Sequence, residues 1–153
     1  MTLSDKEYIQ INQALHCLTH AYESRMNKEE QQNPKGLTLS DRAVLMVLGQ
    51  FVNLTSRQLS DIMDINPGTI SVYVQRLITK NLIQKIQDQN DRRNWLLHLT
   101  KIGQKTYQNI ITGTVSYTRD FLSALSENEQ HSLHQLLLKP SHSLGFDWIL
   151  NTN

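Results

Sequence analysis

The sequence contains a single cysteine among its 153 residues, which excludes an intramolecular disulfide bond and fits a reducing compartment. It has no apolar run long enough for a membrane span, and Met1 to Gln10 lack the apolar segment of a signal peptide. A glycine-rich phosphate loop, a nucleophile elbow, a metal-binding motif and a carboxylate pair are also missing. We therefore expect a cytoplasmic protein with no membrane segment, no cofactor, no bound metal and no enzymatic activity.

The formal net charge is only +1, which argues against a general polycation, but the charges are unevenly distributed. From Arg76 to Lys105 there are seven lysines and arginines and two aspartates, a net charge of +5, whereas the rest of the chain carries −4. A basic stripe on a near-neutral chain is typical of a nucleic-acid-binding surface carried by a separate scaffold. The alternative is a solvated face that happens to be rich in lysine.

The N-terminal part of the chain predicts two helices. The first is expected over Ser4–Glu29, where Ser4 and Glu7 form a capping-box pattern and apolar residues recur every three or four positions. The second should start at Ser40 and Asp41, and it is apolar nearly all round. A helix of that kind is buried, so we place it at the centre of the domain.

The C-terminal part predicts two further helices. Thr100 should cap a long helix, and Ser126 with Glu129 should begin a short one that Pro140 ends. The apolar tail Leu144–Leu150 follows. The terminal helices carry more apolar residues than one small core needs, which favours a homodimer over packing within one chain.

The central block predicts a helix-turn-helix followed by a hairpin. A short helix, Thr55–Met63, precedes a second helix over Asn66–Lys80. Two strands should follow, Leu82–Ile86 and Trp95–Leu99, joined by a polar tip at Asp88–Arg93 that is long enough to project. In a winged helix-turn-helix one helix enters the major groove of duplex DNA, and the hairpin tip lies along the minor groove.

In the helix over Asn66–Lys80, apolar residues recur at the spacing of a core-facing side, so the opposite, polar side of this helix should face DNA. Thr69 or Ser71 can bond to phosphates or bases, Gln75 can pair with adenine, and Val72 can touch a thymine methyl. The alternative is an ordinary surface helix with its polar residues outside. The predicted DNA-contacting residues are Thr55, Ser56, Pro67, Gly68, Thr69, Ser71, Val72, Gln75, Arg76, Lys85, Asp91, Arg92 and Arg93.

The hairpin tip suits a narrow minor groove, where the potential is most negative. Arg93 or Arg92 can enter that groove, and Asp91 is expected to hold an arginine in position. A solvated ion pair that contributes little is the alternative for these three residues.

The central motifs, taken together, resemble the MarR family of bacterial transcription regulators. They are Leu54-Thr55, Asn66-Pro67-Gly68-Thr69-Ile70-Ser71, Arg76-Leu77, Leu82-Ile83, Asp91-Arg92-Arg93, Leu99-Thr100 and Gly103. The resemblance implies a mainly α fold with a small β-hairpin wing, in which the N- and C-terminal helices join a homodimer on a pseudo-palindromic operator. It also implies that Asn66–Lys80 is the recognition helix and that Arg93 is the minor-groove arginine. Many members have arginine where this chain has Val72.

This resemblance sets the expected domain organisation and the expected output. We expect one domain over residues 1–153, with a winged-helix DNA-binding lobe at 37–100 and helical dimerisation regions at 1–33 and 101–153. The expected function is a ligand-responsive transcriptional repressor, bound to the nucleoid when it is on DNA. A winged-helix protein adaptor that does not bind DNA is the alternative.

Family members commonly respond to phenolic or other small aromatic ligands, to metals or to oxidants. The expected ligand-binding candidates are His20, Tyr22, Met46 and Tyr107. Cys17 could act as a redox sensor, although a free cysteine is more commonly a small buried apolar residue, which is the interpretation we favour. His16 shares a helix face with His20, but no further metal ligand follows at an obvious spacing, so a surface or pocket role is favoured over zinc binding.

Overall fold

A computed structural model describes residues 2–32 and 36–143, and the helices and strands of these residues follow the predicted order. They are α1 Asp5–Gln32, α2 Leu39–Gln50, β1 Leu54–Thr55, α3 Ser56–Met63, α4 Pro67–Thr79, β2 Ile83–Gln87, β3 Trp95–Leu99, α5 Lys101–Phe121 and α6 Glu127–Ser143, with a short 3-10 turn at Leu122–Ala124. The chain divides into two compact units, Met1–Ser40 and Asp41–Asn153. No helix in the described ranges combines the length and the apolar character that crossing a membrane requires.

The first unit contains α1, which begins at the predicted capping box. The Glu7 carboxylate accepts hydrogen bonds from the Ser4 backbone N–H and from the Ser4 hydroxyl, both at 2.7 Å. These bonds, the backbone one first, hold the pKa of Glu7 below its usual value because they favour the ionised form. The helix extends to Gln32, beyond the predicted end at Glu29.

The apolar side chains of α1 are exposed wherever the structure describes them. They include Tyr8, Ile11, Leu15, Leu18 and Tyr22. Cys17 is exposed as well, so our interpretation of it as a small buried apolar residue was wrong. The physical reason is that a helix whose apolar residues are themselves exposed offers the cysteine no buried position.

The second unit is built around α2, as its continuous apolar character predicts. Val44, Leu45 and Val47 are fully buried, and α4 adds Ile70 and Leu77 to the same core. A three-stranded antiparallel sheet of order β1-β3-β2 completes the unit.

The hairpin is the predicted one, but the sheet has a third strand that we did not predict. Ile83 is opposite Leu99 and Gln87 is opposite Trp95, so the tip lies between Gln87 and Trp95. The third strand, β1, pairs Leu54 with Leu97. Two residues are too few to show the alternation that identifies a strand in a sequence.

The start of α5 is fastened to the end of α4. Thr100 caps α5 by accepting a hydrogen bond from the Gly103 N–H at 3.0 Å, as predicted, and its own hydroxyl donates to the Asn81 carbonyl at 2.7 Å. Its backbone N–H donates to the Leu82 carbonyl at 3.0 Å. A Cβ on Gly103 would overlap that Leu82 carbonyl, so the two segments meet closely only because residue 103 is glycine. Residues beyond 100 therefore share a unit with the lobe predicted at 37–100.

The last described helix runs through Pro140, which we expected to end it. α6 starts where the Glu129 carboxylate accepts hydrogen bonds from the Ser126 backbone N–H at 2.8 Å and from its hydroxyl at 2.7 Å, and it continues to Ser143. Pro140 lies in the last turn, where it removes one donor while the Ser141 hydroxyl bonds to the Leu137 carbonyl at 2.9 Å. The apolar tail Leu144–Leu150 lies outside the described residues.

The close approach at Gly103 predicts different effects for two glycines of the same helix. Gly103→Ala should lower the free energy of unfolding by about 1–3 kcal/mol or more, because the added methyl meets backbone atoms. Gly113→Ala should raise it by roughly 0.5–1 kcal/mol, because nothing lies within 4 Å of a Cβ at that site and alanine favours the helix. Urea denaturation of both variants measures the free energy of unfolding. Equal stability of the two variants would contradict the close contact between Gly103 and the Leu82 carbonyl.

Candidate nucleic-acid interface

The helix-turn-helix starts at a complete capping box. The Gln58 backbone N–H donates to Thr55 Oγ1 at 3.2 Å, and the Thr55 backbone N–H donates to Gln58 Oε1 at 2.9 Å. α3 ends at Met63, and the next residue, Asp64, caps it with left-handed backbone at a φ of 51°. The buried Ser60 hydroxyl donates to the Ile65 carbonyl. These local bonds fix the turn that sets the direction of α4. Thr55 and Ser56, which were predicted to contact DNA, are both half-buried at the start of α3.

The first turn of α4 faces solvent. Asn66 caps the helix, and its Oδ1 accepts a hydrogen bond from the Gly68 N–H at 2.8 Å. Pro67 occupies the first helical position, where its missing N–H leaves no unsatisfied donor. Pro67, Gly68 and Thr69 are exposed. The partial positive charge of the helix N-terminus is therefore accessible to an anion such as a phosphate.

The outward side of α4 is the predicted one. Ile70, Val74 and Leu77 are buried, while Ser71, Val72 and Gln75 are exposed, Val72 by 60%. The Ser71 hydroxyl donates to the Pro67 carbonyl at 2.9 Å, which leaves its oxygen able to accept another hydrogen bond. The exposed residues offer hydroxyl and amide groups and one apolar contact.

Arg76 is held differently from the prediction, which placed it on the outward side. Its Nε and Nη2 atoms both lie 2.7 Å from Oδ1 of Asp41, a fully buried residue of α2. Lys80 Nζ lies 3.0 Å from the other carboxylate oxygen of Asp41. The Arg76 guanidinium also lies 5.3 Å from the centre of the Tyr73 ring. Our placement was wrong because it rested on spacing within α4, whereas the partner is a residue of another helix.

The hairpin tip is closed by its own hydrogen bonds. The Asp88 backbone N–H donates to the Asn94 carbonyl at 3.0 Å, and the Asn94 backbone N–H donates to the Asp91 carbonyl at 2.9 Å. Asp91 Oδ1 accepts hydrogen bonds from the Arg93 backbone N–H at 3.1 Å and from Arg93 Nε at 3.2 Å. Asp91 thus holds an arginine, as we expected. The Arg93 side chain is nevertheless 92% exposed.

Two further cations lie on or beside this tip. Arg92 and Lys85 are exposed, and the Arg92 carbonyl accepts a hydrogen bond from Gln87 Nε2 at 2.7 Å. The wing, meaning β2, β3 and the tip between them, therefore displays several positive charges.

A cavity of about 470 Å³ lies in the second unit, between the end of α2, the end of β3 and the start of α5. Of the ligand-binding candidates, Tyr107 lines it and Met46 does not. His20 and Tyr22 are residues of α1, in the first unit. Lys101 and Lys105, which we did not select, also line the cavity. Their spacing of four residues at the start of α5 puts them on one helix face, a signal that we read only as part of the basic stripe.

His16 and His20 are exposed residues of α1. Across the residues that the structure describes, no three histidines, cysteines or acidic residues come together as a group that could hold a metal ion.

Residues 35–94 match a family model described as the MarR family. Over 100 residues the chain is 28% identical to the transcriptional repressor MdtR of Bacillus subtilis, a match that covers 65% of this chain and 64% of MdtR. Over 103 residues it is 29% identical to a putative regulatory protein for the hcr operon of Thauera aromatica, which covers 67% of this chain and 62% of that protein. The match thus spans a little under two thirds of these two relatives.

Solved structures show the same fold over most of the chain. FabT of Streptococcus pneumoniae, crystallised in complex with DNA, superposes with a TM-score of 0.78 at 21% identity, covering 90% of this chain and 97% of FabT. A MarR family protein of Bacillus stearothermophilus superposes with a TM-score of 0.82 at 17% identity, covering 94% and 99%. These similarities establish the mainly α winged-helix architecture.

Proposed function

We propose that this chain, whose residues 35–94 match the MarR family model, is a transcriptional regulator that binds specific sequences of double-stranded DNA, and not an enzyme. The observation that carries this proposal is the pairing of two surfaces in one unit. α4 presents exposed hydroxyl and amide side chains, and the wing presents an arginine that is 92% exposed. The name of MdtR as a repressor supports repression as the output.

In this proposal the outward side of α4 lies in the major groove and contacts the base edges. Gln75 can form two hydrogen bonds with adenine, Ser71 can bond to a base edge, and Val72 can contact a thymine methyl. Exposed Pro67 and Gly68 let the start of the helix approach a phosphate.

The cations of the wing position the protein on the DNA backbone. Arg93 enters the minor groove, while Arg92 and Lys85 contact phosphates. Ser56, the first residue of α3, is suited to the phosphate backbone through its backbone N–H at a helix N-terminus, whereas the Thr55 N–H is already bonded to Gln58.

The division between reading and positioning predicts two kinds of mutant. Ser71→Ala and Gln75→Ala should change which bases are preferred, whereas Lys85→Ala should weaken all sequences about equally, because base contacts specify and phosphate contacts position. The measurement is selection of duplexes from a random pool by the parent protein, followed by binding of each variant to single-base derivatives of the selected site.

Two results would count against the proposal. Unchanged base preference in both α4 variants would move the reading surface elsewhere. Failure of the parent protein to retain any duplex at low salt would favour the adaptor alternative, in which the winged helix binds protein and not DNA.

The functional unit is proposed to be a homodimer on a pseudo-palindromic operator. The support is the extent of exposed apolar surface on α1, together with Val115 and Phe121 of α5 and Leu136 of α6. Apolar surface of this extent is typical of a partner interface, and a second copy is the commonest partner. Two-fold symmetry would set the recognition helices about 34 Å apart, which is one turn of DNA.

Leu15→Glu should therefore convert the dimer into a monomer, because it places a charge within the apolar surface of α1. Val72→Glu is the matched control, since Val72 is an apolar residue of α4 that is also at least half exposed and lies outside the proposed interface. Light scattering gives the masses. A parent protein with the mass of one chain at micromolar concentration would contradict the dimer.

The regulating ligand is proposed to be a small aromatic acid or phenol bound in the cavity of the second unit. The cavity offers the apolar residues Leu48, Val52 and Tyr107 for a ring, and Lys101 and Lys105 for an anionic group. Ligand binding at this site can alter DNA affinity only if the DNA-competent and incompetent arrangements bind the ligand unequally.

Salicylate serves as the probe for this site. It should raise the thermal midpoint of the parent protein, because a ligand that binds only the folded state stabilises it. Val52→Trp, at an exposed edge of the cavity, should abolish the shift by filling the space. Ile86→Trp, an exposed change on the wing, should keep the shift. An equal shift in both variants would place the ligand elsewhere.

A further inference from the structure

The outward face of α4 has no charged side chain. Its exposed residues from Pro67 to Thr79 are proline, glycine, threonine, serine, valine, glutamine and threonine. The segment 67–80 contains two charged residues, Arg76 and Lys80. Both are bound to Asp41, so the recognition helix is basic by composition but neutral on its reading face.

Asp41 lies in a position that requires a cationic partner, and the structure gives it two. Its side chain is fully buried, and each carboxylate oxygen has a cationic nitrogen within 3.0 Å, Arg76 on Oδ1 and Lys80 on Oδ2. A buried carboxylate without such partners is strongly unfavourable, so the carboxylate restrains both side chains. Arg76 and Lys80 are in turn only 34% and 26% exposed.

We propose that Asp41 is a positioning residue that determines specificity, because it withholds Arg76 and Lys80 from the DNA phosphates. The inference rests on the proposed DNA-binding function and deepens it. The cations that bind phosphate are then those of the wing, Lys85, Arg92 and Arg93, while α4 contributes base contacts and the backbone N–H groups of its first turn. Since phosphate contacts provide nearly all of non-specific affinity, a recognition helix without free cations raises the ratio of specific to non-specific binding.

The salt dependence of DNA binding is proportional to the number of phosphates that cations of the protein neutralise. The logarithm of the binding constant falls with the logarithm of salt concentration by about 0.9 for each phosphate neutralised. The inference therefore assigns no slope change to loss of Arg76 or Lys80 and a fall to loss of Arg93 or Lys85, although all four belong to the same basic segment, Arg76–Lys105.

The experiment measures this slope for non-specific binding to a duplex of mixed sequence of about 30 base pairs, long enough for two half-sites. Arg76→Gln and Lys80→Gln should leave the slope of the parent protein unchanged. In the proposed homodimer each substitution is present twice, so Arg93→Gln and Lys85→Gln, the matched controls, should each lower it by about 1.8, which is about 0.9 for each chain. Asp41→Asn, which keeps the shape of the side chain and removes its charge, should increase the slope by about 1.8 or more and strengthen non-specific binding.

Circular dichroism establishes that each variant is folded before its slope is used. Lys80→Gln keeps the pair between Arg76 and Asp41, so its slope decides the matter if Arg76→Gln or Asp41→Asn fails to fold. A fall of about 1.8 in Arg76→Gln or Lys80→Gln, about 0.9 for each chain, would overturn the inference, as would a folded Asp41→Asn with the parent slope. A parent protein without salt-dependent binding would overturn the proposed function, and this inference with it.

Discussion

The buried carboxylate of Asp41 is the interaction on which the rest of the second unit depends. It joins α2, the centre of the core, to α4, the helix whose outward side we propose reads DNA. Hydrophobic packing of residues such as Leu45 and Leu77 is non-directional and tolerates small rotations. An ion pair at 2.7 Å inside the protein does not, because any rotation of α4 that lengthens it leaves a charge unpaired where water cannot reach it. Removing the sole partner of a buried charge typically costs about 3–5 kcal/mol, and Asp41 has two cationic partners, Arg76 and Lys80.

A second joint fixes the wing in the same way. Thr100 bonds to Asn81 and Leu82 at the end of α4 and caps α5, and Gly103 lets these segments touch. Asn81 itself has left-handed backbone, with a φ of 56°. β2 begins and β3 ends at this joint, so the base of the wing is anchored to α4. The two proposed contact surfaces, α4 and the wing, thus keep one mutual geometry.

Local sequence patterns predicted most of these elements and several of their contacts. The capping residues Ser4 and Thr100, the core positions of α4 and the hairpin pairing all depend on neighbours within a few residues or on a regular period, and the structure has them. The pairing of Arg76 with Asp41 depends on a contact between distant parts of the chain, which spacing within α4 could not reveal. The predicted end of a helix at Pro140 was wrong because proline is tolerated in a last turn. The strand β1 was not predicted because two residues show no period.

The closed tip of the wing has a consequence for how this surface can change over generations. Its loop is held by main-chain groups and by the carboxylates of Asp88 and Asp91, and the latter also orients Arg93. Substitution at Gln89 or Arg92 would therefore exchange a surface side chain without opening the loop. Such positions can change without loss of the fold, so the contacts that we propose the wing makes with the DNA backbone can be altered one at a time. Such a scaffold lets duplicated copies of a regulator diverge in how tightly they hold DNA while each remains a stable protein.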